Sequence, residues 1–216
     1  MRFLLTVLLA LIVSVPGMAD YTLAVFGDSL SAGHHLPQKD SFYAQLEQAL
    51  RSKGYPVTVL NASKSGETAS GGVRKVNGLL ALNPDGVILE LGINDSFSNS
   101  PIPAIRKNLA SLITTFQNRQ IPVLLVGMKT FPNKPLAYQQ QLEEMYQSLA
   151  TEYQLLLYPF FMEGIFNLDS FGDVLHQNDN LLPHDIHPSA KGVSVMVRGI
   201  LPTVERFLNQ QGIRPQ

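Results

Sequence analysis

Ser29, Asn94 and His187 are side chains whose types could together carry out acyl transfer. A serine hydroxyl attacks a carbonyl carbon when a base takes its proton, and imidazole is the side-chain base closest to neutrality. An amide and unhindered backbone N–H groups can then hold the oxyanion of the tetrahedral intermediate. Ser29 lies in Val25-Phe26-Gly27-Asp28-Ser29-Leu30-Ser31-Ala32-Gly33, and Gly66 closes Asn61-Ala62-Ser63-Lys64-Ser65-Gly66. Asn94 lies in Gly92-Ile93-Asn94-Asp95, and His187 in His184-Asp185-Ile186-His187-Pro188. Each stretch also has a plainer use; Asp28 and Ser29, for instance, are common helix caps. The chemistry depends on whether the surrounding elements bring all four to one place.

Apolar, strand-like runs recur at Thr22–Phe26, Val57–Leu60, Val87–Leu91, Val123–Val126 and Leu155–Tyr158. Their starts are 35, 30, 36 and 32 residues apart, which leaves room for one crossover helix each time. The intervening segments carry helical stripes. Phe42, Leu46, Ala49 and Leu50 share a face between the cap candidates Asp40 and Ser41 and the stop signal Gly54. Val73, Val76 and Leu80 form a weaker stripe; Ile102, Ile105, Leu109, Leu112 and Phe116 form a clear one. Tyr138, Leu142, Met145, Leu149 and Tyr153 form another. A last helix begins near Ser189 with Val193, Val197, Ile200, Val204 and Phe207, and Pro202 is expected to kink or divide it.

Strand alternating with helix predicts a three-layer α/β/α sandwich around a five-stranded parallel sheet of flavodoxin-like character. In such a sheet the Ser29, Gly66, Asn94 and His187 segments all fall at the carboxyl edge, where open parallel sheets bind ligands. Glu90 breaks an otherwise apolar strand and is expected to meet a hydrogen-bonding partner near the strand's end.

The four segments, in this order, resemble the four blocks of the GDSL, or SGNH, hydrolase family. Within it the chain is similar to the secreted bacterial acyl-thioesterase, arylesterase and lysophospholipase group. Leu60-Asn61-Ala62-Ser63, Ser65-Gly66-Glu67-Thr68 and Pro159-Phe160-Phe161-Met162-Glu163 carry that closer likeness. The resemblance implies a serine esterase with Ser29 as nucleophile and His187 as general base, then acid. It also implies an oxyanion hole made by the Ser29 N–H, the Gly66 N–H and the Asn94 side chain. Acyl esters, thioesters and lysophospholipids are the substrates it implies, with no cofactor. A member that only binds lipid or glycan is the alternative.

Two departures bear on function. Ile93 stands where the group has a second Gly, and Ser96-Phe97-Ser98-Asn99 replaces a Gly-Leu-Arg-Gly-like stretch, so acyl-chain preference does not carry over. The family places an Asp three residues before its His, but position 184 is His and the Asp is at 185. The loop could be rebuilt so that Asp185 orients His187, a backbone carbonyl could serve in a Ser–His dyad, or activity could be lost.

A metal site is not expected: His184, Asp185 and His187 lack a matched ligand cluster, and no spacing recruits His34, His35 or His176. His34 and His35 are expected beside Ser29 at the rim, or solvated. The 45% hydrophobic content over 216 residues suits one domain with a sizeable core. A net charge of -1 gives no basic surface for nucleic acid, and without cysteine there is neither disulfide nor thiolate ligand.

Arg2, the apolar run Phe3–Val15 and the small residues Gly17 and Ala19 read as a signal peptide over residues 1–19. Residues 20–216 then form the hydrolase domain, with a mature net charge of -2 after loss of Arg2. A periplasmic or secreted monomer with no membrane span after processing is expected.

Overall fold

The computed structural model describes residues 20–130, 133–165, 179–183 and 185–216. The expected signal peptide, His176 and His184 lie outside the described residues. Five parallel strands form one sheet in the order β2-β1-β3-β4-β5. They are β1 (Tyr21–Phe26), β2 (Val57–Asn61), β3 (Gly86–Leu89), β4 (Val123–Val126) and β5 (Leu156–Tyr158). All but the edge strands β2 and β5 are apolar and buried along nearly their whole length, as a sheet covered on both faces requires.

The long helices are α2 (Phe42–Ser52), α3 (Ala69–Leu80), α5 (Ile102–Gln117), α6 (Leu136–Glu152) and α7 (Ala190–Gln210). Two short ones, α1 (Ser29–Ala32) and α4 (Ile93–Phe97), follow β1 and β3 directly. Helix α2 packs on α7, while α3 packs on α5 and α5 on α6, giving the three layers. The stripes bury as their spacing requires: Phe42, Leu46 and Leu50 of α2 and Ile105, Leu109, Leu112 and Phe116 of α5 are inaccessible to solvent. Each such side chain contributes about 1.5–3 kcal/mol by leaving water.

Helix α7 runs unbroken through Pro202, so the expected division does not occur. Proline removes one hydrogen bond, to the carbonyl of residue 198. Both Pro202 and Arg198 lie on the exposed face, where water can satisfy that carbonyl. At the other end, Ser189 caps the helix by accepting from the Gly192 N–H at 3.2 Å.

The strand order reverses between β1 and β3, since the chain leaves β1 toward β2 and returns on the other side to β3. That switch point opens a crevice above the carboxyl ends of β1 and β3. Helices α1 and α4, with Ser29 and Asn94 in their first turns, begin there.

Candidate active site

The turn after β1 is tight because Gly27 lacks a side chain. A Cβ there would lie 2.3 Å from Glu90 Oε2 and 2.8 Å from the Glu90 carbonyl. Asp28 then caps α1, accepting from the Leu30 N–H at 3.0 Å. Asp28 is thus the cap, and Ser29 stands in the first turn of the helix with its own side chain not used for capping.

His187 arrives from a loop tied back on itself. Leu181 bridges Pro188, the Leu182 N–H donates to the His187 carbonyl at 2.9 Å, and the Asp185 N–H donates to the Leu182 carbonyl at 3.1 Å. This turn brings Asp185 under His187 although only one residue separates them. Asp185 Oδ1 accepts from the Ile186 N–H at 2.6 Å, the His187 N–H at 3.2 Å and His187 Nδ1 at 2.7 Å. Partial burial alone would raise the Asp185 pKa, but the bonds from His187 and Ile186 outweigh it and hold the carboxyl below its ordinary range. An ionised Asp185 only accepts, so Nδ1 carries the proton and Nε2 presents a lone pair. Nε2 lies 2.9 Å from Ser29 Oγ.

Asn94 approaches from α4. Its amide nitrogen donates to Asp28 Oδ2 at 3.1 Å and to the Glu67 carbonyl at 2.9 Å. Both amide protons are therefore engaged at rest, and an oxyanion would have to draw one of them away. Gly66 takes φ +76°, a left-handed conformation that favours glycine. Among the described residues, the Ser29 and Gly66 backbone N–H groups have no acceptor, which leaves two donors unspent.

Glu90, one residue past β3, meets the partner expected for it. Its Oε2 accepts from Ser31 Oγ at 2.7 Å and from the Asp28 N–H at 3.2 Å. Burial and then the neighbouring Asp28 push the Glu90 pKa well up, against those two hydrogen bonds. Asp28 is pushed up to about 7, by burial first and by the Asp95 charge, against the Leu30 hydrogen bond.

An apolar pocket of about 430 Å3, counting its open mouth, abuts Ser29 and His187. Ile93 and Phe97 of α4, Met128 after β4, Phe160 and Met162 after β5, and Ile186 form its walls. Lys129 stands at the same pocket, 5.7 Å from the Phe160 ring centre and paired with Glu143 at 3.4 Å. Ile93 and Phe97 lie in the departing stretch on which acyl-chain preference was expected to turn, and Phe160 and Met162 in a segment that carried the closer likeness, whereas Met128 and Ile186 were not singled out. For Met128, its position just beyond β4 was the available signal.

The structure places His34 beside His187 at the rim of the site, one of the two positions expected for it, and so adds it to a ligand-type cluster that no sequence spacing suggested. His34, Asp185 and His187 place ligand-type atoms within 4.8 Å of one another. Asp185 Oδ1 already accepts three N–H groups and both His187 nitrogens are engaged. A metal would have to break that chain, so the arrangement fits proton transfer better than coordination.

A family model described as GDSL-like lipase/acylhydrolase matches residues 25–195. An arylesterase of Vibrio mimicus is 35% identical over 163 residues, covering 75% of this chain and 82% of the relative. Esterase TesA of Pseudomonas aeruginosa is 32% identical over 206 residues, covering 95% and 98%. A crystal structure of TesA has a TM-score of 0.77 at 31% identity, covering 86% of this chain and 98% of that one. Thioesterase 1/protease 1/lysophospholipase L1 of Escherichia coli K12 is 28% identical over 199 residues, covering 91% and 94%.

Proposed function

The chain belongs to the GDSL-like lipase/acylhydrolase family and is a carboxylic ester hydrolase, and from that premise we propose how it works and on what. The substrates are acyl esters and thioesters, lysophospholipids among them, cleaved through an acyl-enzyme on Ser29. The observation that carries this reading is the unbroken chain from Ser29 Oγ through His187 to Asp185, at 2.9 and 2.7 Å.

In the first half-reaction His187 Nε2 takes the hydroxyl proton as Oγ attacks the acyl carbon. The carbonyl oxygen becomes an oxyanion held by the Ser29 and Gly66 N–H groups and by Asn94 Nδ2. The imidazolium then protonates the departing alkoxide or thiolate. Water repeats the sequence in reverse roles and frees the acid. Asp185 keeps Nδ1 protonated and balances the charge formed on His187. The acyl chain lies between Ile93, Phe97, Met128, Phe160, Met162 and Ile186. The intact relay favours turnover over a protein that only binds lipid or glycan.

The proposal is tested by turnover of p-nitrophenyl esters of increasing length, an acyl-CoA and a lysophosphatidylcholine. Wild type should hydrolyse them and Ser29→Ala should not, with an unchanged thermal midpoint. Residual activity of Ser29→Ala near the wild-type rate would reject the nucleophile.

Residues 1–19 are proposed to be a signal peptide removed on export, leaving a periplasmic or secreted enzyme, on the strength of the Arg2, apolar-run and Ala19 pattern. Amino-terminal sequencing of the exported protein should begin at Asp20; an intact Met1 terminus would refute this. Among the described residues no helix is long and apolar enough to cross a membrane.

A further inference from the structure

Four residues beyond the end of the β1 turn, the chain does something the acyl-transfer chemistry above does not use. Gly33 takes φ +78° and donates its N–H to the Ser29 carbonyl, and the His34 N–H donates to the same carbonyl at 3.2 Å. His35 then adopts a left-handed φ of +56°, a conformation rare outside glycine and one that surrounding structure must maintain. The result is that the His34 ring lies over the His187 ring, with centres 4.3 Å apart and planes tilted by 41°. The His35 ring centre is 3.8 Å from that of His34. Ser65 Oγ lies 3.4 Å from His34 Nδ1, in the loop that carries Gly66.

We propose that His34 is a positioning residue for His187, its neutral ring covering one face of the catalytic imidazole and stabilising the imidazolium formed during attack. The inference rests on the acid–base role of His187 proposed above. Asp185 and Ser29 hold the His187 ring at its two nitrogens, but both contacts lie at the ring edge and neither touches its face. The tilted His34 ring against one face resists tipping of the imidazole out of that line and keeps Nε2 on Ser29 Oγ. When His187 accepts the serine proton, a cation forms against a neutral π system, and that attraction exists only after proton transfer. It therefore lowers the barrier without strengthening substrate binding.

For this the His34 ring must be uncharged, and its surroundings favour that. Partial burial, His187 and His35 each lower its pKa, against an opposing pull from Asp185. Ser65, the polar contact from the neighbouring loop, is itself uncharged.

The experiment compares four variants at one saturating series of a p-nitrophenyl ester. His34→Ala should lower kcat roughly 5- to 30-fold, as expected for loss of a half-desolvated cation–π contact, with little change in KM. His34→Phe and His34→Tyr should recover most of the rate, because they restore a flat face. His34→Leu, which restores bulk alone, should not. Equal rates for Leu and Phe would reduce the residue to a space-filler and overturn the proposal, as would a wild-type rate for Ala. An effect confined to KM would overturn it too. Collapse of the fold in all four variants would likewise count against it, since it would make His34 structural. Ser29→Ala and His187→Ala accompany the series: if either retained wild-type turnover, the acid–base reading would fail, whereas their inactivity beside a neutral His34→Ala would reject this inference alone.

Discussion

Asp185 orients His187 from two residues away because the loop between Leu181 and Pro188 closes on itself, so that one carboxylate oxygen gathers the Ile186, His187 and Nδ1 hydrogens. The sequence allowed this outcome together with a carbonyl acceptor and an inert site. Side-chain direction in a loop depends on where the chain turns, and nothing in the residue types at 181–188 fixes that turn. Replacing Asp185 by Asn would offer an amide to Nδ1 and favour the wrong tautomer, so kcat should fall by up to about 10⁴-fold. A neutral Asp185→Asn variant beside an inactive His187→Ala would point to a backbone acceptor instead. Asn94→Ala removes one oxyanion donor and should cost on the order of 10²–10³ in kcat. Steady-state kinetics at constant pH measure both, and an undiminished Asn94→Ala rate would leave the oxyanion to the Ser29 and Gly66 N–H groups.

Among the elements, periodicity located the strands to within two residues at each end, and Val123–Val126 coincides. Buried strands are short and apolar, so their pattern is local and readable. Pro202 does not divide α7 because it and Arg198 lie on the exposed face, where solvent can satisfy the carbonyl that proline leaves without a partner. Glu90 was legible as an anomaly in the apolar run that holds β3, but its partner Ser31 lies 59 residues away and required the sheet order to find. This pair of elements carries a pH signature. Folding raises the Asp28 pKa to about 7 and raises that of Glu90 well above its ordinary value, so the folded state holds protons that the unfolded chain releases. The stabilising contribution is present below the ordinary carboxyl range and is lost as pH rises, for Asp28 through about 7 and for Glu90 above its ordinary range. Glu90→Gln keeps the shape without the charge; its thermal midpoint should exceed that of wild type at pH 8 and converge with it toward pH 4. A midpoint difference independent of pH would show that Glu90 does not titrate in this range.

For the whole molecule, one architectural fact organises the function: the strand order 2-1-3-4-5 reverses at the paired strands β1 and β3, opens a crevice above their carboxyl ends, and collects a serine, an amide and a histidine from chain positions 29, 94 and 187. That convergence was legible because every parallel strand delivers its following loop to the same edge, whatever the order. The apolar pocket was legible only in part: Ile93 and Phe97 stood out in the departing stretch after β3, whereas Met128, Phe160, Met162 and Ile186 belong to separate segments that join them as one wall only after packing. The rim position of His34 was one of two expected for it, but its ring contact with His187 was not legible, because it depends on a backbone reversal at Gly33 and His35 that residue types do not specify. The central claim is that Ser29 is the nucleophile activated by His187, and phosphonate labelling followed by peptide mass spectrometry addresses it at the reacting atom. An ethyl phosphonate ester bearing a p-nitrophenol leaving group should add one phosphonyl group to the peptide containing Ser29, stoichiometrically with loss of turnover, and far more slowly in His187→Ala. Labelling of a different residue, or full turnover by an enzyme that takes up no label, would contradict the account.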